Sequence, residues 1–340
     1  MKILIVKLGA LGDVLRTTPV LTGLRRRHPD AHITWVVDRR CREVLERNRL
    51  IDRLLDYSPE SLSAVQNLRF DLAVNLDKEE EALETISSAS ADKKMGFGRS
   101  KDGRLCPLDA SSEYAYRLGV DDELKFRLNQ KTYQEICFEQ LGLSFQKEEY
   151  VFELDRKSEV FALGVLKKLG MDPGDKTRQT IGLNTGAGNR FAGKKLPLPT
   201  LVSLAERFHD ELGAAVILLG GEDERERNGR IQAQAHGKAI DTGSHSIRRF
   251  AAIVKNCDAI VTGDTTAMHI AIAVKTPVAV YFGSTCAAEI ELYGRGRKLV
   301  SELPCAPCYK KICPIQEKCM TDMSADELFS ATKALLGPAK

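Results

Sequence analysis

The feature that most constrains this chain is a series of short, unbroken apolar runs, rich in Ile and Val, each closed by a glycine or a polar residue. KILIVKL opens the chain, HITWVVD and DLAVNL follow, and the second half carries TIGLNTG, AAVILLGG, DAIVTGD and PVAVYFGS. A strand with one face in water alternates apolar and polar residues, whereas a strand covered by helices on both faces loses that alternation. These runs therefore read as buried parallel strands. Between them Arg16–Arg27, Arg40–Asn48, Pro199–Leu212 and Ser246–Asn256 space their apolar residues as helices do. The order βαβα predicts an α/β, doubly wound architecture.

The runs fall into two sets, and 340 residues are enough for two α/β domains with separate cores. The less regular middle, from Lys78 to Lys176, ends in KKLGMDPGDKTRQT and reads as an interdomain linker, with Pro173 and Gly174 breaking helix and strand alike. The predicted division is a first domain 1–174, a second 175–322 with a cysteine-rich segment 305–319, and a C-terminal helix within 323–340, patterned over Ser324–Leu336. Disorder and coiled coil are disfavoured by 43% hydrophobic and 29% charged residues. Neither MKILIVKLGA nor any later stretch reaches the roughly 18 apolar residues of a spanning helix, so a cytoplasmic protein is expected. Nine cysteines in such a chain point to thiols or metal ligands rather than to a disulfide framework. A net charge of +3, from 50 basic and 47 acidic side chains, is too balanced for nucleic-acid binding. Two basic clusters, Arg25–Arg27 and Arg39 with Arg40, read either as solvated helix and loop ends or as attraction to an anionic acceptor or membrane surface.

Four segments could carry chemistry, each where a strand hands over to a helix. The first, Lys7-Leu8-Gly9-Ala10-Leu11-Gly12-Asp13, lets backbone approach a ligand but departs from the dinucleotide spacing G-x-G-x-x-G. Asp13 is either a helix N-cap or a carboxylate at the mouth of a crevice, and Thr18 before Pro19 offers a second cap. The second, Gly263-Asp264-Thr265-Thr266-Ala267-Met268-His269, offers hydroxyls and a helix N-terminus to a diphosphate, or else caps its helix with Asp264 or Thr265 and buries His269. The third, Asn184-Thr185-Gly186-Ala187-Gly188 with Lys194 and Lys195 behind it, suits a leaving diphosphate or is a loop with an exposed lysine pair. In the fourth, Gly220-Gly221-Glu222-Asp223-Glu224, a carboxylate could meet a ribose or sugar hydroxyl, or stay solvated. Cys305, Cys308, Cys313 and Cys319 have a spacing that suits either a tetrahedral zinc or iron site or free, redox-active thiols.

Taken together, KILIVKLGALGDVLRTTPVL, NTGAG with KKLP, GGEDE, and GDTTAMHIAIAVKTPVAVYFGST with its cysteine-rich tail resemble glycosyltransferase family 9, the ADP-heptose:lipopolysaccharide heptosyltransferases. The resemblance implies a GT-B fold, two Rossmann-like domains facing a cleft, with the acceptor on the N-terminal domain and the nucleotide-sugar on the C-terminal one. It implies inverting transfer of heptose or a related sugar from ADP-heptose, with no cofactor needed for catalysis, onto a lipopolysaccharide-core, other glycan, lipid-linked or protein acceptor. It also implies peripheral contact with the cytoplasmic face of the inner membrane. Asp13 falls on the family's general base. Lys194 falls on the lysine of K-x-W-P, with Leu196 in place of Trp, and Asp264, Thr265, Thr266 and His269 fall on D-T-G-x-x-H, with Thr266 in place of Gly. Thr185, Gly186 and Glu224 complete the implied donor contacts, with Glu222 the competitor to Glu224. The alternatives are a nucleotide-sugar epimerase of the same architecture, disfavoured because its carboxylate pairs are not evident, and a non-catalytic nucleotide- or glycan-binding protein.

Overall fold

The computed structural model describes residues 1–172, 174–175, 177–188 and 191–336. Pro173, a predicted breaker, lies outside the described residues, as do 337–340 of the predicted C-terminal segment. The chain forms two compact units. One is Met1–Glu153 together with Ala288–Glu291, and the other is Leu154–Ala287 together with the chain from Leu292 onward.

In the first unit β1 (Lys2–Val6), β2 (His32–Val37), β3 (Arg53–Asp56), β4 (Arg69–Asn75), β5 (Ser90–Arg99) and β6 (Leu105–Pro107) form one sheet in the order β3-β2-β1-β4-β5-β6. All pairings are parallel except β5 with β6. In the second unit β7 (Thr180–Asn184), β8 (Ala215–Leu219), β9 (Ala239–Asp241), β10 (Ala259–Gly263), β11 (Val278–Phe282) and β12 (Gly296–Val300) form a fully parallel sheet, β12-β11-β10-β7-β8-β9. Each sheet starts in the middle, winds outward on one side, then returns to wind on the other. The strand order thus reverses between β1 and β4 and again between β7 and β10. Ligands of such sheets bind outside the carboxyl ends of the two strands at that reversal.

The predicted central strands are all present and buried on both faces, as β7, β8, β10 and β11 show. Strands that the apolar pattern missed lie off-centre or carry charge: β3 (RLLD), β5 (SADKKMGFGR), β6 (LCP), β9 (AID) and β12 (GRKLV). Four of these are edge strands and β5 lies next to an edge, where exposed charged side chains discourage pairing with another chain and break up the apolar run.

The reading of 78–176 as a linker is corrected. Up to Glu153 this stretch builds β5, β6 and the helices Glu80–Ser88, Glu113–Arg117 and Tyr133–Gln140 into the first unit. The helix Arg156–Lys168, assigned from sequence to the first domain, belongs to the second unit. It packs on the helix Ile247–Lys255, with Arg248 paired to Asp155 at 3.5 Å and Lys255 to Glu159 at 2.8 Å. The C-terminal helix Ala325–Leu335 is part of the second core, where Phe329 stacks on Phe208 with ring centroids 5.3 Å apart. Pattern locates a helix but does not say which core its apolar face joins.

Two further helices differ from expectation. The single helix over Arg16–Arg27 is two, Leu11–Thr17 and Pro19–Arg27. Proline takes the first position of the second as predicted, but the Thr18 hydroxyl donates back to Leu15 O at 2.7 Å and accepts Val151 N at 2.9 Å instead of capping. The stretch Arg40–Asn48 is a 3₁₀ turn, Arg39–Val44, started by Asp38, whose side chain accepts Arg40 N.

Candidate active site

In the second unit the reversal between β7 and β10 gathers three of the four predicted segments. β7 ends at Asn184, whose Nδ2 donates to Gly186 O at 2.8 Å, to Thr262 Oγ1 at 3.0 Å and to Thr265 Oγ1 at 3.4 Å. The hydroxyls of Thr262 and Thr265 are 3.1 Å apart, and Thr265 Oγ1 accepts Ala267 N at 3.2 Å as N-cap of the helix Thr266–Ala273. One buried amide therefore ties the turn after β7 to the helix start after β10. The cap leaves other first-turn N–H groups for a ligand, and the helix dipole favours a negative one. Asp264, Thr265 and Thr266 are each half-buried.

The GGEDE turn after β8 joins the same place. A Cβ at Gly186 would collide with the Glu224 carboxylate, so the glycine is what lets that side chain lie across the turn. Glu224 Oε2 is held by Gly221 N–H at 3.0 Å. Glu222 faces solvent and pairs with Arg225 at 3.2 Å. Of the two competing carboxylates, Glu224 is the one at the strand reversal.

Lys194 meets this edge through its backbone, because a Cβ at Gly263 would come within 2.8 Å of Lys194 O. Lys195 goes elsewhere. It lines a cavity of about 570 Å³ together with Arg227, Lys311 and Cys313, and Lys194 is not among the described lining residues. Leu196, where the family motif has Trp, is fully buried and accepts a hydrogen bond from Arg227 at its carbonyl.

Two predicted donor residues turn inward. Thr185 is fully buried, and its hydroxyl donates to Asn228 Oδ1 at 2.5 Å while Asn228 Nδ2 donates to Asp241 Oδ1 at 2.8 Å. What Thr185 can offer a ligand is backbone. His269 is 5% exposed, with Nε2 3.9 Å from Asp264 Oδ1, which is ion-pair range but too long for a hydrogen bond. It lies behind the helix start, beneath Asp264.

The structure bears on the two readings of the cysteine segment. Among the described residues no three His, Cys, Asp or Glu side chains are arranged to hold a metal ion, and Cys305, Cys308, Cys313 and Cys319 are all free. Among the described residues, then, no zinc or iron site is assembled. Cys319 is instead wedged between Gly193 and Gly283, with its sulfur 2.8 Å from a Cβ built at either. Burial, followed by the nearby thiols Cys313, Cys308 and Cys305, pushes its pKa up to about 11. The segment acts as a clasp. Cys308 N and Tyr309 N donate to Ser284 O at 3.0 and 2.8 Å, Ser284 N donates to Gly193 O at 3.3 Å, and Ala192 N donates to Lys310 O at 3.0 Å. Phe191 meets Tyr309 edge-on. The loop just before Lys194 is thereby fixed from behind.

In the first unit the reversal between β1 and β4 is charged. Lys7, one residue beyond β1, is 6% exposed and 3.3 Å from Asp77, also 6% exposed, two residues beyond β4. Asp77 Oδ2 also accepts Leu8 N at 3.1 Å and Gly9 N at 3.3 Å, and Trp35 Nε1 donates to Lys7 O at 3.1 Å. This network fixes the turn that launches Leu11–Thr17. Ala10 caps that helix and Asp13 is its third residue, with Oδ2 accepting Ala10 N at 3.3 Å and Oδ1 2.8 Å from Arg16. Asp13 is therefore not the N-cap itself. It reaches back to the cap while remaining half-buried. Sequence reasoning missed Lys7, Asp77 and Arg16, although a charge directly after an apolar strand is a readable signal. Next to Asp77, the ammonium of Lys78 rests 4.6 Å from the Phe97 ring and donates to Ala115 O. Burial, then the like charge of Lys125, lowers its pKa from 10.5 to about 8.

The basic clusters are used within the first unit. Arg25 binds Asp52 at 2.6 Å, Arg26 binds Glu148, Arg27 donates to Gly142 O at 2.9 Å, and Arg40 pairs with Asp38 at 2.7 Å. Among the described residues no helix is long and apolar enough to cross a membrane.

Two units with the same reversing strand order, one edge bearing a carboxylate and the other an anion-favouring helix start, define a two-domain α/β enzyme of the GT-B type. The chain belongs to glycosyltransferase family 9, whose model, described as glycosyltransferase family 9 (heptosyltransferase), matches residues 62–319. It is a glycosyltransferase. It is 28% identical to lipopolysaccharide heptosyltransferase 1 of Pseudomonas aeruginosa, over 93% of this chain and 88% of that one. A family 9 glycosyl transferase from Veillonella parvula superposes with a TM-score of 0.78 at 22% identity, covering 98% of this chain and 97% of that one. E. coli ADP-heptose lps heptosyltransferase II does so with a TM-score of 0.70 at 17% identity, covering 99% and 98%.

Proposed function

We propose that this protein transfers heptose, with inversion and without a catalytic metal, from ADP-heptose to a lipopolysaccharide-core acceptor. The observation that carries the reading is the β7/β10 reversal, where one amide network holds Gly186, Thr265 and the start of the helix Thr266–Ala273 around a single spot, with Glu224 across Gly186. Backbone N–H groups there receive the diphosphate, Lys194 adds a point charge, and Glu224 takes a ribose hydroxyl. These groups meet the charge of the leaving ADP without a metal ion. The donor and acceptor classes are taken from the heptosyltransferases that the chain resembles.

The second unit is the donor domain and the first the acceptor domain. The acceptor oxygen attacks the anomeric carbon as the bond from that carbon to the β-phosphate oxygen breaks. The bonding pair leaves with ADP, and the hydroxyl proton passes to Asp13. Attack opposite the leaving group inverts the configuration. An aspartate is a weak base, so holding it in place matters more than its basicity. We place the enzyme in the cytoplasm, in peripheral contact with the inner membrane where a lipid-linked acceptor would be met. The test is incubation with a panel of nucleotide-sugars, reading nucleotide release with and without bacterial lipopolysaccharide-core acceptors. Release of ADP from ADP-heptose that depends on acceptor, with a product of inverted anomeric configuration, is expected. ADP binding without turnover of any donor would make this a binding protein instead.

A further inference from the structure

We propose that Arg16 and Glu289 are positioning residues that hold Asp13 in line and set its charge environment. The proposal rests on the reading of Asp13 as the base. Taken alone, Asp13 and Arg16 are an i, i+3 pair on one helix, and exposed pairs of that kind contribute little. This pair is not exposed. The Arg16 side chain is 17% accessible and its guanidinium lies over the Tyr133 ring, 3.8 Å from the centroid. One amino group is 2.8 Å from Asp13 Oδ1, and the other is 3.6 Å from Oε2 of Glu289, itself 13% accessible.

The plate on which Arg16 lies is itself fixed. The Tyr133 hydroxyl is 2.9 Å from Thr17 Oγ1, Tyr133 N donates to Glu289 O at 2.9 Å, and Gln134 Nε2 donates to Arg16 O at 3.0 Å. Glu289 arrives on the short stretch Ala288–Glu291, which follows β11 in sequence but joins the first unit. Three elements therefore meet at one guanidinium: its own helix through Asp13, the helix Tyr133–Gln140 through Tyr133, and the stretch Ala288–Glu291 through Glu289. An arginine clamped this way holds one carboxylate oxygen of Asp13. The other, Oδ2, accepts Ala10 N at 3.3 Å.

The same arrangement balances charge. Arg16 stabilises ionised Asp13 and so weakens it as a base, and Glu289 on the far side of the guanidinium offsets that effect. Other titratable groups facing Asp13 contribute little net charge. Tyr133, Cys137 and Cys41 are all held above their ordinary values by burial, Cys137 and Cys41 to about 11, so they remain neutral. Lys7 is paired with Asp77, and Asp38, beyond Cys41, is paired with Arg40. Lys78 lies within charge range of Glu289, so that carboxylate answers two cations, of which Arg16 is the one that contacts Asp13.

The test is the pH profile of kcat/KM, with kcat and KM measured separately, for wild type, Asp13→Asn, Arg16→Gln, Arg16→Lys and Glu289→Gln, using ADP-heptose and a lipopolysaccharide-core acceptor. Arg16→Gln is expected to lower kcat by about 10-fold or more with little change in donor KM. Its acid limb should move to higher pH, since Asp13 loses its cation. Glu289→Gln should move the limb the opposite way, to lower pH, because Arg16 is then uncompensated. Arg16→Lys should recover part of kcat. Opposed shifts are not produced by a merely structural role, and Glu289→Gln, nearly isosteric, gives the answer even where Arg16→Gln folds poorly. Unmoved acid limbs in both Arg16→Gln and Glu289→Gln, with Asp13→Asn inactive, would overturn the proposal alone. Near wild-type turnover in Asp13→Asn would overturn the reading beneath it.

Discussion

The two strand reversals of this chain share a topology and differ in chemistry. At β1/β4 the edge is built from full charges, the buried pair Lys7–Asp77 and the half-buried Asp13–Arg16. At β7/β10 it is built from an amide, two hydroxyls and the start of a helix, with Gly186 making room for the Glu224 carboxylate and Gly263 letting the Lys194 carbonyl come close. A site that must bind a diphosphate and release it gains from many neutral donors, because each N–H is oriented without burying a charge of its own. A site that takes up a proton needs an ionisable group, and that group needs charged neighbours to hold it. On the proposed mechanism the fold supplies two equivalent positions, and the side chains divide the work between them.

Perturbing each edge separately sharpens that comparison. The largest effect on stability should come from Lys7→Met, which leaves the buried Asp77 carboxylate uncompensated and should cost about 3 to 5 kcal/mol. Removing both charges in Lys7→Met with Asp77→Leu should recover much of the loss. Urea unfolding of the two variants checks this, and a double variant no more stable than the single one would mean that Asp77 acts mainly through its backbone contacts to Leu8 and Gly9. At the other edge, Lys194→Ala should weaken ADP binding by about 1.5 to 3 kcal/mol by calorimetry, as for loss of a charged hydrogen bond. Lys195→Ala should change it far less, since Lys195 faces the cavity shared with Arg227. Equal losses would make the two lysines a diffuse patch.

Thr265→Ala removes the cap of Thr266–Ala273 and one partner of Asn184, which should lower stability by about 1 kcal/mol. ADP affinity should fall with it, whereas an unchanged affinity would separate the helix start from donor binding. The smallest effect belongs to Lys78. With its pKa at about 8 when folded and 10.5 as the ordinary value, the unfolded chain binds the extra proton between those limits. Stability attributable to Lys78 therefore rises as pH climbs from 8 towards 10.5. Lys78→Met should be stabilised relative to wild type below pH 8 and lose that advantage above pH 10, as urea midpoints across the range would show.

Much of the fold was legible because central parallel strands are apolar on both faces, as in TIGLN and VAVYF. The second edge was legible for a related reason. Asn184, Gly186, Glu224 and Thr265 lie within a few residues of strand ends, so local sequence names the parts that topology later joins. What stayed hidden depends on distance along the chain. Nothing near Asp13 announces Glu289, which is contributed from beyond β11, or Tyr133, which comes from a helix inside the presumed linker. The cysteines stayed ambiguous because spacing suggests ligation but does not fix where each sulfur points, and Cys319 points between two glycines.

The division of labour between the edges is tested most directly by Asp13→Asn, measured for turnover with a competent acceptor and for the ADP dissociation constant in the same preparation. The account predicts turnover lower by about 100-fold or more, because asparagine cannot take the proton, with ADP affinity and melting temperature close to wild type. Near wild-type turnover, or a loss of ADP affinity that matches the loss of turnover, would contradict it.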